Sequence, residues 1–204
     1  MSLAEQPDAA EHFLGVIQRK IERLEQMVSD LLDLSRIESS SSRFVPEALE
    51  LARFLADLQS RFKERFEARQ IDWHIDLQPD LQRISANPYL LRIATDNLLD
   101  NAIKFTEPGG RVEVNCRSVL DPATGRRQVA ITVSDDGCGI DEQEQKRVFE
   151  RFYQVAKART GTSRGTGLGL SIVRHAVATM NGSVSLESEL GQGTRVTILL
   201  PLNL

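Results

Sequence analysis

Apolar residues recur at alternating steps of three and four along the first part of the chain, over residues 11–38. This spacing is a heptad seam, which predicts a long helix that packs against other helices. A single helix cannot bury such a seam, so we expect its partner to be a helix from upstream sequence, a second copy of the chain, or both. A core helix of an ordinary globule is the alternative. The seam consists of Leu14, Ile17, Ile21, Leu24, Val28 and Leu31.

A run of four serines at 39–42 separates this helix from a region in which helical and strand-like patterns alternate. Asn87 and Pro88 start one of the later helices, because proline is tolerated in a first helical turn. The order has hairpins and few β-α-β alternations, which favours an α+β fold. We expect a two-layer α/β sandwich, with a mixed sheet covered by helices on one face, preceded by the long helix. The predicted helices are 49–68, 88 onwards, 141–149 and 168–180, and the predicted strands are 71–77, 111–117, 128–134, 183–187 and 194–200.

Composition and charge narrow the class of protein. Hydrophobic residues make up 41% of the 204 positions and charged residues 26%, as in globular proteins with a packed core. The net charge of -4 argues against a nucleic-acid-binding protein, which usually carries a basic surface. Cys116 and Cys138 lack metal-ligand spacing and fit a reducing, cytoplasmic compartment. No apolar run approaches the ~20 residues of a membrane span. We therefore expect no direct membrane contact by this segment, and leave open a parent protein anchored in the inner membrane.

The stretch DNLLDNAIKF, residues 96–105, carries the most informative polar pattern. Asn97, Asn101 and Lys104 are spaced by four and three, so they lie on one face of a helix. A carboxamide oxygen can ligate a hard cation, and an ammonium group can neutralise phosphate charge. The trio therefore suits a magnesium nucleotide better than an apolar ligand.

Two glycine-rich segments follow. In SDDGCGI, residues 134–140, a strand ends at Asp135, whose carboxylate can accept from an exocyclic amine, and two glycines let the backbone approach a flat ligand. A simple Asp-Gly turn is the alternative. In RGTGLGLSIV, residues 164–173, glycines precede a helix whose free amides can face an anion. A surface loop is the alternative there, and it predicts no connection with Asn97, Asn101 or Lys104.

Several common catalytic and nucleotide-binding motifs are absent from the sequence. There is no Walker A segment, and the glycines at 165–169 lack the spacing of the dinucleotide fingerprint. No HExxH zinc motif occurs. The ordinary nucleotide-binding folds are therefore excluded.

Four segments, in the same order along the chain, resemble the catalytic, ATP-binding domain of sensor histidine kinases. This domain belongs to the superfamily shared by gyrase, Hsp90 and MutL, and the resemblance implies the Bergerat-type fold of that superfamily. The resemblance covers residues 44–200, and residues 14–38 resemble the second helix of the dimerisation and phosphotransfer hairpin. It implies a partial hairpin and linker over 1–42 and a catalytic domain over 43–204. The matching segments are 97–105 for the N box, 135–140 for the first glycine box, 148–153 for the F box and 165–170 for the second glycine box.

The resemblance implies ATP and Mg²⁺ as cofactors and assigns roles within the site. Asp135 would bind the adenine amine, Asn97 and Asn101 would face the metal and the phosphates, and Lys104 would contact phosphate. Residues 151–167 would form a mobile lid over the nucleotide. The implied ATP-binding set is Asn97, Asn101, Lys104, Phe105, Asp135, Gly137, Gly139, Ile140, Phe152, Arg164, Gly165, Thr166, Gly167, Leu168, Gly169, Leu170 and Thr194.

One feature of the family has no match in this sequence. The phosphoacceptor histidine of the family lies in a segment like His-Glu-Leu-Arg-Thr-Pro-Leu, which does not occur here. We interpret His12 as a helix residue exposed to solvent, His74 as a strand residue and His175 as a packing or surface residue. The catalytic acceptor is therefore expected outside this chain.

The function implied for the intact protein is transfer of the γ-phosphoryl group of ATP to a histidine of the dimerisation domain. A response regulator aspartate would then receive the phosphoryl group, and the hairpin would form a homodimer. Asn97 stands where gyrase-like ATPases have a glutamate, which favours a kinase over a hydrolase. Two alternatives stay open: a non-catalytic ATP-sensing or docking module, and a serine kinase of the anti-sigma type. The heptad seam counts against the second.

Overall fold

A helix of 33 residues precedes a sandwich of helices and strands in the computed structural model, which describes residues 7–39, 45–155 and 165–202. Side chains are described from residue 13 onwards, except at 19. The helices are α1 (Pro7–Ser39), α2 (Leu51–Ala68), α3 (Pro88–Phe105), α4 (Glu142–Gln145) and α5 (Gly169–Thr179). The strands are β1 (Glu47–Glu50), β2 (Asp72–Leu77), β3 (Arg83–Ala86), β4 (Arg111–Leu120), β5 (Arg127–Asp135), β6 (Ser183–Glu189) and β7 (Gly193–Pro201).

The main sheet has five strands in the order β2-β4-β5-β7-β6. The pair β2 and β4 is parallel and the other pairs are antiparallel, so the sheet is mixed. Alternate residues of β4 and β7 are buried, because successive side chains of a strand point to opposite faces. Helices α2, α3 and α5 cover the buried face. This arrangement confirms the predicted α+β sandwich.

The helices covering the sheet form where the sequence combines an apolar face with a suitable start. In α3, the side chain of Asn87 accepts a 3.1 Å hydrogen bond from the amide of Leu90, and Pro88 follows in the first turn. In α2, the ring of Phe66 stacks on that of Trp73 in β2, with 4.4 Å between centroids. The buried face of α2 comprises Leu51, Phe54, Leu55, Leu58, Phe62 and Phe66.

The structure differs from the sequence prediction in two places. The helix predicted from residue 49 begins at Leu51, because Leu49 and Glu50 belong to β1, which pairs antiparallel with β3 in a small second sheet. The helix predicted over 141–149 is only the four-residue α4. Beyond it, the amides of Arg147 and Glu150 donate to carbonyls three residues earlier, at 2.9 and 2.8 Å, so the chain continues as a series of tight turns.

Helix α1 presents two faces with different surroundings. Leu34 and Ile37 belong to the same buried core as the sandwich, where α1 packs against α5. The heptad seam lies on another face and is exposed: Leu24, for example, keeps 61% of its surface accessible. Within the described residues, no helix combines the length and the apolar character needed to cross a membrane.

Candidate functional site

The polar trio of α3 faces the second glycine-rich segment. The Nδ2 group of Asn97 donates a 2.8 Å hydrogen bond to the carbonyl of Ile93, which directs its Oδ1 atom away from α3. A Cβ placed on Gly169 would lie 2.9 Å from that Oδ1 and 3.8 Å from Nδ2 of Asn101. Glycine therefore lets the first turn of α5 approach both carboxamides closely.

Lys104 continues the same face and meets the start of the second glycine-rich segment. Its Nζ atom would lie 2.7 Å from a Cβ on Gly165 and is 4.6 Å from the centroid of the Phe105 ring. Burial lowers the pKa of Lys104, and the nearby charge of Arg23 on α1 lowers it further. Burial without an acidic partner among the described residues makes this ammonium group a candidate for binding an anion.

Asp135 lies at the end of β5, opposite Thr194 of β7 in the sheet register. Its Oδ1 atom accepts a 3.0 Å hydrogen bond from the amide of Gly137. Burial raises the pKa of Asp135 to about 6, the amides of Gly137 and Thr194 oppose that rise, and the charge of Asp136 adds to it. The carboxylate is therefore a partly desolvated acceptor, ionised at neutral pH.

The first glycine-rich segment is packed tightly against its neighbours. A Cβ on Gly137 would overlap the carbonyl oxygen of Phe105, which also accepts a 3.3 Å hydrogen bond from the amide of Cys138. Gly139 has φ +64 and faces the carbonyl of Glu189, with no space for a side chain. The amide of Ile140 donates to Oγ of Ser188 at 2.8 Å. This segment thus joins the end of α3 to β6.

The second glycine-rich segment has an internal hydrogen bond that shapes the entry to α5. Oγ1 of Thr166 accepts a 3.2 Å hydrogen bond from the amide of Leu168, whose side chain is fully buried. Gly167 has φ +78, and a Cβ there would lie 2.7 Å from the carbonyl carbon of Phe152. Gly169 and Leu170 then begin α5, so free amides lie at its N-terminus.

Most of the predicted site residues thus lie in two connected groups. Asn97, Asn101 and Lys104 contact the second glycine-rich segment, and the end of α3 contacts the first. The backbone of Phe152 lies next to Gly167, and 56% of the surface of Phe152 is exposed. Arg164 and residues 156–163 of the predicted lid lie outside the described part of the chain, as does the side chain of His12. His74 is exposed on β2.

Sequence reasoning missed the contacts that α1 makes with this region. Asp30 accepts a hydrogen bond from Oγ1 of Thr166 at 2.5 Å, and Glu38 forms an ion pair with Arg151. His175 of α5 lies 3.5 Å from the same Glu38 carboxylate. The heptad seam identified one face of α1, whereas these residues lie on a different face. Their spacing on α1 was the only available signal.

The donor set fits a nucleotide phosphate with a hard metal ion. Two carboxamides and an ammonium group of α3 lie close to the segment that leads into α5 and its N-terminal amides, and none of these groups needs to lose a proton to bind Mg²⁺ or phosphate. The described residues include no cluster of three or more His, Cys, Asp or Glu side chains that could hold a metal. A metal here would therefore depend on Asn97, Asn101 and the oxygens of its ligand.

Comparison with known families identifies the domain. The family described as histidine kinase-, DNA gyrase B-, and HSP90-like ATPase matches residues 86–204, more than half of the chain. The chain belongs to this family. The family described as His Kinase A (phospho-acceptor) domain matches residues 1–40. Together, the two matches confirm the prediction of a sensor histidine kinase catalytic domain.

Similar curated proteins are named as sensor kinases. Sensor histidine kinase WalK of Bacillus subtilis is 33% identical over 197 residues, covering 97% of this chain and 31% of WalK. Sensor histidine kinase RppB of Synechocystis is 39% identical over 194 residues, covering 93% of this chain and 40% of RppB. The chain thus spans less than half the length of either relative.

Solved structures share the fold. Full-length ShkA in complex with AMPPNP superimposes with a TM-score of 0.75 at 26% identity, covering 94% of this chain and 38% of ShkA. The mycobacterial sensor histidine kinase MprB gives a TM-score of 0.63 at 28% identity, covering 77% of this chain and 97% of MprB. The sandwich of this chain therefore has the architecture of these kinase domains.

Proposed function

We propose that this chain binds ATP with Mg²⁺ where the C-terminal half of α3 meets the two glycine-rich segments. One observation carries this proposal: three stretches far apart in sequence meet, with Asn97 and Asn101 against Gly169 and the end of α3 against Gly137. The alternative, a surface loop at 164–170, would leave the carboxamides of Asn97 and Asn101 without a contact to Gly169. The ATP analogue bound by ShkA supports the same ligand.

The site residues divide between the two ends of the nucleotide. Asp135 accepts from the adenine amine, because a desolvated carboxylate gives a strong, directional acceptor. Lys104 and the amides at the start of α5 bind phosphate oxygens, helped by the positive end of the helix dipole. Asn97 and Asn101 ligate Mg²⁺ through their carboxamide oxygens.

In the intact protein, the γ-phosphoryl group passes from ATP to a histidine nitrogen of the dimerisation domain. Phosphoryl transfer of this kind needs mainly correct positioning and neutralisation of charge on the phosphoryl oxygens. Lys104 and the α5 amides neutralise part of that negative charge, and a Mg²⁺ ion held by Asn97 and Asn101 would neutralise more of it. Asn97 is not a base, so it does not activate water, and the site favours transfer over hydrolysis.

The partners follow from the same function. A response regulator receives the phosphoryl group on an aspartate, and the kinase assembles as a homodimer through the helical hairpin to which α1 belongs. The match of residues 1–40 to the phospho-acceptor family supports both partners. The exposed seam on α1 supports dimerisation, because apolar side chains spaced as a heptad need a facing helix.

Two measurements test the proposal in sequence. Calorimetry of the purified chain with ATP, with and without Mg²⁺, should give one site per chain and tighter binding with the metal. Absence of ATP binding would overturn the proposal. Labelled ATP and the chain are then mixed with a helical hairpin bearing an acceptor histidine. Label on that histidine supports kinase activity, whereas ATP binding without transfer supports a non-catalytic ATP-binding module.

A further inference from the structure

Helix α1 runs along the second glycine-rich segment, and a buried contact fixes its position there. Asp30 is buried, with only 5% of its surface exposed. Its carboxylate accepts hydrogen bonds from Oγ1 of Thr166 at 2.5 Å and from Nε2 of Gln26 at 2.7 Å. Because Thr166 also holds the amide of Leu168, α1 is anchored to the loop that leads into α5.

Arg23 lies on the same side of α1, seven residues before Asp30. Seven residues make about two helical turns and place the two positions roughly 10 Å apart along the helix. The Nε atom of Arg23 is buried and has no hydrogen-bond partner among the described residues. No carboxylate in the described part of the chain forms an ion pair with its guanidinium.

The charge of Arg23 acts on a second cation, Lys104 of α3. Burial lowers the pKa of Lys104, and the guanidinium group of Arg23 is close enough to lower the pKa of Lys104 further. Lys104 also contacts Gly165, one residue before Thr166. Two partly buried cations from different elements thus lie near the same loop, and neither forms an ion pair with an acidic side chain among the described residues.

Such an arrangement is unfavourable unless a negative group occupies the space. Like charges repel, and burial removes the water that would screen them. A phosphate group between Arg23 and Lys104 would relieve the repulsion and could accept a hydrogen bond from the unpaired Nε of Arg23. An arginine that merely covered apolar surface would gain nothing from being placed beside a lysine.

We propose that Arg23 is a phosphate-binding residue that α1 contributes to the nucleotide site. This inference rests on the proposed binding of ATP. It adds to the nucleotide site a residue from a helix outside the ATPase fold. Asp30 and Thr166 set the position of α1, and Arg23 then faces the phosphates together with Lys104. The helix that carries the dimerisation seam therefore also completes the site, and its docking on the domain contributes to ATP affinity.

The test compares Arg23→Gln, Arg23→Lys and the control Lys20→Gln, which removes a positive charge from an exposed position of the same helix. ATP and AMP affinities are measured by calorimetry with Mg²⁺ in the full chain. We expect Arg23→Gln to weaken ATP binding about tenfold, as for loss of one charge-assisted hydrogen bond. AMP affinity should change little, Arg23→Lys should restore part of the loss, and Lys20→Gln should match the wild type.

Two results would overturn the inference while leaving ATP binding intact. The first is that Arg23→Gln binds ATP as tightly as Lys20→Gln does. The second is that Arg23→Gln loses AMP and ATP affinity equally, which would indicate general damage to the nucleotide site. Failure of the wild-type chain to bind ATP at all is a separate result, which overturns the proposed function together with this inference. Circular dichroism of each variant checks that the helices are retained.

Discussion

The hydroxyl group of Thr166 donates a 2.5 Å hydrogen bond to the buried carboxylate of Asp30. The two residues are 136 positions apart and belong to different parts of the protein: one to the long helix α1 and the other to the loop before α5. Burial raises the pKa of Asp30, and the hydrogen bonds from Thr166 and Gln26 oppose that rise. The contact therefore holds a costly buried carboxylate in place by means of specific donors.

Removal of this carboxylate should loosen α1 from the domain. In Asp30→Ala, the hydroxyl of Thr166 and the amide of Gln26 lose their acceptor, which we expect to lower the free energy of unfolding by about 1–3 kcal/mol. Urea denaturation measures the change. Glu25→Ala, at an exposed position of the same helix, is the control. Equal stability of the two variants would show that the contact contributes nothing.

Replacement of the carboxylate at the end of β5 should weaken nucleotide binding. In Asp135→Asn the acceptor loses its charge, and we expect ATP affinity to fall about tenfold or more, by the loss of one charge-assisted hydrogen bond. Calorimetry with Mg²⁺ measures the change. The control is Asp136→Asn, because Asp136 is exposed and its side chain only caps the amide of Arg111 at 2.8 Å. Unchanged affinity in Asp135→Asn would refute the role of Asp135.

The pH dependence of stability should also report Asp135. Its pKa is about 6 in the folded protein, above its ordinary value of 3.8, so folding favours the protonated form. The resulting stabilisation is complete below about pH 4 and is lost as the pH rises through about 6. Without nucleotide, the wild type should therefore lose stability relative to Asp135→Asn across this interval, as followed by urea denaturation. Parallel stability curves for the two proteins would contradict the raised pKa.

ATP affinity should change with pH in the opposite direction. Adenine binding needs the ionised carboxylate, so the advantage of the wild type over Asp135→Asn should shrink as the pH falls below about 6. The comparison between the two proteins cancels the protonation of ATP itself. A constant ratio of affinities between pH 5 and pH 8 would show that Asp135 does not accept from the base.

The glycine at the start of α5 should be needed for binding and dispensable for folding. In Gly169→Ala the new methyl group would lie 2.9 Å from Oδ1 of Asn97, which can move because it is the end of a side chain. Alanine also suits a helix, so we expect stability within ~1 kcal/mol of the wild type. Displacement of Asn97 should weaken the effect of Mg²⁺ on ATP affinity, as measured by calorimetry.

Gly137→Ala provides the contrast for that experiment. There the methyl group would overlap the backbone oxygen of Phe105, so the segment must shift, at a cost of about 1–3 kcal/mol. The two alanine variants should therefore separate: Gly169→Ala loses binding with its stability kept, and Gly137→Ala loses stability. A large loss of stability in Gly169→Ala would mean that the close approach of α3 and α5 serves packing alone.

Local periodicity explains which parts of this architecture were predictable. The apolar alternation in β4 and β5 continues along each strand, and the apolar face of α2 continues over several helical turns. Such long periodic patterns predict the element correctly because tertiary packing agrees with them. The four-residue strands β1 and β3 are too short for that signal, and Leu49 fits the helical pattern that follows it. In α4, tight turns replace the predicted helix after one turn, which the polar sequence does not reveal.

The candidate site divides in the same way. Asn97, Asn101 and Lys104 lie on one face because of helical geometry alone, and the glycines mark close approaches that only their small size permits. The contact between Asp30 and Thr166 depends on how α1 lies across the domain, and no local pattern encodes that placement. Sequence reasoning therefore related α3 to the glycine-rich segments, which the structure also places in contact, and it missed the contact of α1 with the second of them.

The exposed seam of α1 gives a final prediction about assembly. Leu24 is 61% exposed and lies in the middle of the seam, where a facing helix would bury it. We expect the wild-type chain to self-associate as its concentration rises in sedimentation experiments, and Leu24→Glu to shift it towards the monomer by placing a charge in the contact. Lys20→Glu, which changes charge outside the seam, should associate as the wild type does. Equal association of Leu24→Glu and the wild type would mean that copies of the chain contact each other through another surface. The seam would then pack against a different helix of the intact protein.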